Sequence, residues 1–155
     1  MAIEIERKYR ITHMTDMELP PGVAIEQGYL ATGTHTVRVR LRGESAFLTI
    51  KCPLLEASST DALACQEFEY DIPVEDARAM LSTVPDHIAK ARHVFDSGVE
   101  LDIFRGPHDG LILAEFESAD GAQAPAIPGI EWVEVTSDRR YSNAWMAKHG
   151  VPTVD

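Results

Sequence analysis

A chain of 155 residues, 45 % hydrophobic and 25 % charged, suits one compact domain over residues 1–155 with its own core. Its formal charge of −11 argues against a general nucleic-acid or acidic-membrane binder, whose footprint is a basic surface, yet leaves room for a local anion pocket. No apolar run approaches the ~20 residues of a spanning helix, the charged start does not read as a secretory leader, and Cys52 and Cys65 form no CxxC pair, so a reduced, cytoplasmic setting is expected.

Residues 2 to 12 alternate, with Ile3, Ile5, Tyr9 and Ile11 on one face and Glu4, Glu6 and Lys8 on the other, the period of a β-strand. Met14 to Ala24, with Pro20, Pro21 and Gly22, reads as a turn or very short helix followed by a break. Ala24 to Ala31 is the next strand. His35 to Arg42 alternates again, Val37, Val39 and Leu41 opposite Arg38, Arg40 and Arg42. Gly43-Glu44 turns the chain into Ala46 to Cys52, where Thr49 and Lys51 oppose Leu48 and Ile50. Pro53 through Leu63 is the least structured segment by composition. Cys65 to Ile72 is a strand with Glu67 and Glu69 opposite Phe68 and Tyr70.

Pro73-Val74-Glu75-Asp76 opens a helix with Ala77, Met80, Leu81 and Val84 on its apolar side, and Pro85 ends it. Ile88 to Asp96 is a strand carrying Lys90 and Arg92 in phase. After Ser97-Gly98, Val99 to Arg105 alternates Val99, Leu101 and Ile103 with Glu100, Asp102 and Phe104. Leu111 to Glu117 sets Glu115 and Glu117 in phase. Gly121 to Pro128 is a loop, and Trp132 to Val135 a short last strand. Thr136-Ser137-Asp138 caps a helix over Arg139 to His149, with Tyr141, Ala144, Trp145 and Lys148 on one side.

The count is about eight strands, joined mostly by short turns, with two or three helices: an all-β dominated (α+β) chain whose sheet is antiparallel, because short connections cannot make parallel crossovers. Acids and bases segregate by strand. The charged rows either face solvent, pairing with opposite signs across the sheet, or face the lumen of a closed barrel whose outer faces are covered by helices or a partner. The second arrangement requires a partner or ligand for every buried charge. As a site, the basic rows match phosphate oxygens, and clustered carboxylates ask for a hard cation such as Mg²⁺ or Mn²⁺ between them. The scattered histidines give no zinc site, and neither a Ser-His-Asp triad nor a Walker-type loop is present. The most economical chemistry is phosphoryl transfer to water.

Glu4-Ile5-Glu6-Arg7-Lys8 resembles the ExExK signature of the CYTH superfamily, the triphosphate tunnel metalloenzymes. The resemblance continues in order through Gln27-Gly28-Tyr29-Leu30, Thr36-Val37-Arg38-Val39-Arg40, Leu48-Thr49-Ile50-Lys51, Glu67-Phe68-Glu69-Tyr70 and Lys90-Ala91-Arg92. It runs on through Glu100 to Phe104, Gly110 to Glu117 and Glu134 to Asn143, nearly the whole chain. It implies a closed eight-stranded antiparallel barrel or tunnel with flanking helices. It implies that Lys8, Arg38, Arg40, Lys51, Lys90 and Arg92 bind phosphates. Glu4, Glu6, Glu115 and Glu117 would be the leading ligands of one or two Mg²⁺ or Mn²⁺ ions, with Glu67, Glu69 and Asp102 nearby. Lys8 or Lys90 would assist water activation, and Tyr29 would line the tunnel mouth.

The implied activity is hydrolysis of a small-molecule polyphosphate, inorganic triphosphate (tripolyphosphate), to diphosphate and phosphate, by a homodimer with no nucleic-acid or membrane partner. The alternatives are adenylate cyclisation of the class IV type, thiamine or nucleoside triphosphate hydrolysis, and a barrel that binds polyphosphate without turnover. The sequence departs from the family at Cys52, Cys65, His93 and Val99, where Gly, Arg, Tyr and an aromatic are common; Cys65 removes a positive charge.

Overall fold

The computed structural model describes residues 2–54 and 63–154, with side chains for all of these except residues 2–4, 63 and 64. The Glu4 side chain and most of the segment read as unstructured, 55–62, therefore lie outside the described residues. The strands are β1 (Ala2–Met14), β2 (Gly22–Ala31), β3 (Thr36–Arg42), β4 (Ser45–Pro53), β5 (Leu63–Asp71), β6 (His87–Val94), β7 (Glu100–Arg105), β8 (Ile112–Ser118) and β9 (Ile130–Glu134). The helices are α1 (Val74–Leu81) and α2 (Asn143–His149), with 3₁₀ turns at Gly106–His108 and Arg139–Tyr141.

The expectation of a closed eight-stranded barrel is corrected. The strands form one nine-stranded antiparallel sheet in the order β5-β4-β3-β2-β6-β7-β8-β1-β9, with a further pairing of β5 to β1. The ninth strand arises because β1 is 13 residues long and uses its length three ways. Residues Ala2 to Glu6 pair with β5, Ile5 to Arg10 with β8, and Tyr9 to Met14 with β9. The short Trp132 stretch thus completes the sheet by taking backbone groups that β5 does not reach.

Local chemistry explains the tight connections. Gly43 has φ +60° while no non-glycine among the described residues has positive φ, so the two-residue β3–β4 hairpin follows the type II′ pattern that needs glycine first. The helix expected over Arg139–His149 is corrected to a 3₁₀ turn, a break and α2. Asp138 accepts from Arg140 N, and Ser142, extended at φ −67° and ψ 141°, accepts from Trp145 N. Two short polar side chains each cap a helical start, so one continuous helix gives way to two pieces.

The apolar rows pack outward. Val39 and Ala46 lie under Ala77 and Leu81 of α1. Tyr9, Leu101 and Ala114 lie under Ile127, whereas Ile88, Phe104 and Leu113, in phase with Lys90, Asp102 and Glu115, pack on the charged face against Tyr141 and Met146. α1 and the loop before β9 therefore cover the apolar face, and the charged rows face each other on the other side, where α2 packs at one end of them. Among the described residues no helix is long and apolar enough to cross a membrane.

Candidate active site

Every strand from β1 to β8 turns side chains into one cavity of about 750 Å³. Its wall brings together Glu6, Lys8, Tyr29, Arg38, Arg40, Lys51, Glu67, Glu69, Lys90, Arg92, Glu115 and Glu117. Alternation is the cause: within each strand these residues stand two apart and share a face. Among the described residues eight basic and six acidic side chains line the wall, so this part of a chain with a net charge of −11 is locally basic.

The bases divide into those held by acids and those held apart. Arg92 is clamped by Asp102 at 2.7 and 2.8 Å, by Glu115 at 2.9 Å and by Glu100 at 3.1 Å. Lys90 Nζ lies 2.7 Å from Asp102 and donates to Asn143 Oδ1 at 3.1 Å. Lys8 Nζ donates to the Tyr141 carbonyl at 3.0 Å, with Glu115 at 3.4 Å and Glu6 at 3.7 Å. Arg40 donates to Gln27 at 2.8 Å. Arg38 reaches Thr49 at 3.3 Å and Glu67 at 3.5 Å, while its Nε is buried without a hydrogen-bond partner.

The two lysines that the sequence treats alike are thereby separated. Burial lowers Lys90 to about 8; Asp102 opposes this, while Arg92 and Arg40 add to it. Burial also works against the Lys8 ammonium, but Glu115 and Glu6 outweigh it and hold that group above its ordinary value. Lys51 is raised in the same way, burial being overcome by Glu6 and Glu67. Arg40 is pushed down to about 10 by burial and by the neighbouring Arg38 and Arg92. Glu115, although buried, stays well below the usual carboxylate range because Lys8 and Arg92 surround it. Burial raises Glu100, with Glu115 adding to the effect and Arg92 opposing it.

Register decides which carboxylates meet. Glu6 on β1 stands directly opposite Glu117 on β8, and Glu100 on β7 directly opposite Glu115. Like charges in facing positions destabilise a sheet unless a cation lies between them. Glu6 and Glu117 both line the cavity and offer only oxygen donors, the chemistry that suits Mg²⁺ or Mn²⁺ completed by water and phosphate oxygens. Among the described residues no three acidic, histidine or cysteine side chains form a preformed metal cluster. Asp102 is fully buried against Arg92 and Lys90, which sets it behind the wall as their counter-ion.

The cavity also contains groups not singled out as site residues from the sequence. Glu100, in phase with Asp102, lines the cavity, and buried Gln27, in phase with Tyr29, bonds Arg40 and Tyr29 of its wall, so strand period alone could have found both. Ser142 and Asn143 had no such signal, because they enter the wall from a helix cap. Arg139 lines the cavity as well, whereas Arg140 pairs with Asp138 at 2.8 Å. Of the departures from the family pattern, Cys65 lines the cavity and Cys52 is half-buried. Val99 is fully buried in the apolar core, and His93 is bonded to the Pro20 carbonyl at 2.6 Å.

Comparison with known proteins agrees with this geometry. A CYTH domain is recognised over residues 2–113. An inorganic triphosphatase from Nitrosomonas europaea is 36 % identical over 156 residues, covering 93 % of this chain and 96 % of its own. Another from Acetivibrio thermocellus is 32 % identical over 157 residues, covering 96 % of each. The crystal structure of the inorganic triphosphatase NE1496 matches with a TM-score of 0.62 at 32 % identity over 95 % of both chains. The chain belongs to the CYTH family, the triphosphate tunnel metalloenzymes.

Proposed function

We propose that this chain hydrolyses inorganic triphosphate to diphosphate and phosphate with the help of Mg²⁺ or Mn²⁺. The observation that carries the reading is the crowding of guanidinium groups in the wall: among the described residues Arg38 Nε is buried without a hydrogen-bond partner, and Arg40 is pushed down to about 10 by burial and by Arg38 and Arg92. A multiply charged anion relieves both strains, and two similar inorganic triphosphatases support its identity as triphosphate.

Lys8, Arg38, Arg40, Lys51 and Arg92 hold the phosphate oxygens, the arginines as forks and the lysines as point charges, with Lys90 beside them. Glu6 and Glu117, joined by Glu4 and Glu115 two residues away on the same strands, would hold the divalent cation. When bound, the cation neutralises phosphate charge and polarises the P–O bonds. Glu67 and Glu69 orient Arg38, and Asp102 orients Arg92 and Lys90. Water forms a bond to the terminal phosphorus as the bridging P–O bond breaks, and the bonding pair leaves on the diphosphate oxygen, where the guanidinium groups offset it. The water proton passes to the Lys90 amine, whose value of about 8 keeps a working fraction neutral near physiological pH. Lys8 stays charged beside Glu115 and Glu6 and serves as a clamp. Tyr29, bonded to Gln27 at 2.9 Å, lines the cavity beside the arginines.

A phosphate-release assay with tripolyphosphate, ATP and thiamine triphosphate, each with Mg²⁺ or Mn²⁺, tests the proposal. Tripolyphosphate should be turned over fastest. No phosphate from tripolyphosphate with either metal would sink it.

A further inference from the structure

We propose that Asn143 is a positioning residue for this reaction, its Oδ1 fixing the Lys90 amine and its Nδ2 offered as a hydrogen-bond donor to bound phosphate; this rests on the triphosphate-hydrolysis reading above. A chain of directed hydrogen bonds determines how the amide faces. Arg40 Nε can only donate, and it donates to Gln27 Oε1 at 2.8 Å. The Gln27 nitrogen is thereby committed to Tyr29 Oη at 2.9 Å and Asn143 Oδ1 at 3.3 Å. Lys90 Nζ donates to the same Oδ1 at 3.1 Å. Two donors converge on one oxygen, so the two ends of the Asn143 amide are not interchangeable. Nδ2 must be the other end, on a residue that lines the cavity.

The consequence for Lys90 is directional. Its nitrogen has two acceptors, Asp102 at 2.7 Å and Asn143 at 3.1 Å. In the neutral amine these two engage both hydrogens and leave the lone pair turned away from them, free to receive a proton from water. With one acceptor removed, the amine rotates and the lone pair loses its fixed direction. Asn143 is itself held firmly as the first residue of α2. Ser142 caps the helix by accepting from Trp145 N, and the ring of buried His108 bonds the carbonyl of fully buried Met146.

The test compares Asn143→Ala with Asn143→Asp, which keeps the acceptor oxygen, loses the donor and adds a negative charge. The measurements are kcat and KM for tripolyphosphate at saturating Mg²⁺, the ¹⁵N signal of Lys90 Nζ assigned with Lys90→Arg, and thermal melting. For Asn143→Ala we expect kcat to fall about 10- to 100-fold and the Lys90 signal to shift. For Asn143→Asp we expect KM raised about 10-fold or more, as a carboxylate meets phosphate, and the pH at which kcat rises moved upward, as that carboxylate also holds the Lys90 proton. Asn143→Ala with kcat and KM within about twofold of the parent overturns the proposal. So does an equal kcat loss in both variants with the Lys90 signal unmoved. If the parent itself fails to hydrolyse tripolyphosphate, the functional reading falls separately. Asn143 is then decided by the Lys90 signal and by titration calorimetry with tripolyphosphate; both unchanged in Asn143→Ala would overturn the inference.

Discussion

Asp102→Asn removes one charge and almost no volume from a fully buried position. The parent carboxylate receives Arg92 Nε at 2.7 Å, Arg92 Nη2 at 2.8 Å and Lys90 Nζ at 2.7 Å. An asparagine keeps one acceptor but points its NH₂ at a group that can only donate. Arg92 cannot shed its proton, so it loses a charge-assisted bond worth roughly 1.5–3 kcal/mol and faces an unmatched donor. Lys90 can shed its proton. With a parent value of about 8, one unit above neutral, its release at pH 7 caps the lysine's share of the cost at about 1.4 kcal/mol. The sum, about 3–5 kcal/mol, matches what breaking a buried pair by removing one partner usually costs, and for a chain of this size it lowers Tm by about 10 °C.

The pH dependence carries its own sign. Lys90 is lowered in the folded protein, so between about 8 and its unfolded value the unfolded chain binds the extra proton and parent stability rises with pH. Below about 8 both states are protonated and the burial penalty is fully present. Once Lys90 is neutral in the parent as well, Asp102 no longer has that cation to stabilise. The deficit of Asp102→Asn therefore shrinks by about 1 kcal/mol between pH 7 and pH 9. Urea unfolding followed by circular dichroism at both pH values measures this. A deficit below about 1 kcal/mol at pH 7, or one that grows towards pH 9, refutes the reasoning.

Lys51→Ala removes a wall cation raised by Glu6 and Glu67, and should lower kcat/KM for tripolyphosphate about 100-fold or more in steady-state assays, with little change in melting temperature. Glu6→Gln removes a carboxylate that faces Glu117 and supports Lys8 and Lys51; Mg²⁺ or Mn²⁺ should raise its Tm less than it raises the parent's in a thermal-shift titration. Gly28→Ala should cost about 1–3 kcal/mol in urea unfolding, because the added Cβ would meet Val84 Cγ2 at 2.8 Å and Leu81 Cδ2 at 2.9 Å where the end of α1 packs on β2.

The alternation of Val37, Val39 and Leu41 with Arg38 and Arg40 determines by itself that both arginines share a face, because strand geometry repeats every two residues whatever surrounds it. The same holds for Lys90 with Arg92 and for Glu115 with Glu117. The ordered motifs from Glu4 to Asn143 also made the family legible. Which face turns inward was not local: each strand has an apolar row and a charged row. The choice rested on α1 and the loop near Ile127 covering the apolar rows. The strand total was not local either, since the five residues of β9 matter only because β1 outruns its pairing with β5. Asp102 and Glu100 are equivalent in sequence phase, yet cross-strand packing buries one under two cations and leaves the other on the wall. Lys8 and Lys90 are alike as residues and both are buried; burial prevails at Lys90, with Arg92 adding to it, whereas the distances to Glu115 and Glu6 outweigh it at Lys8. Those distances join residues far apart in the chain, so tertiary structure alone could decide them.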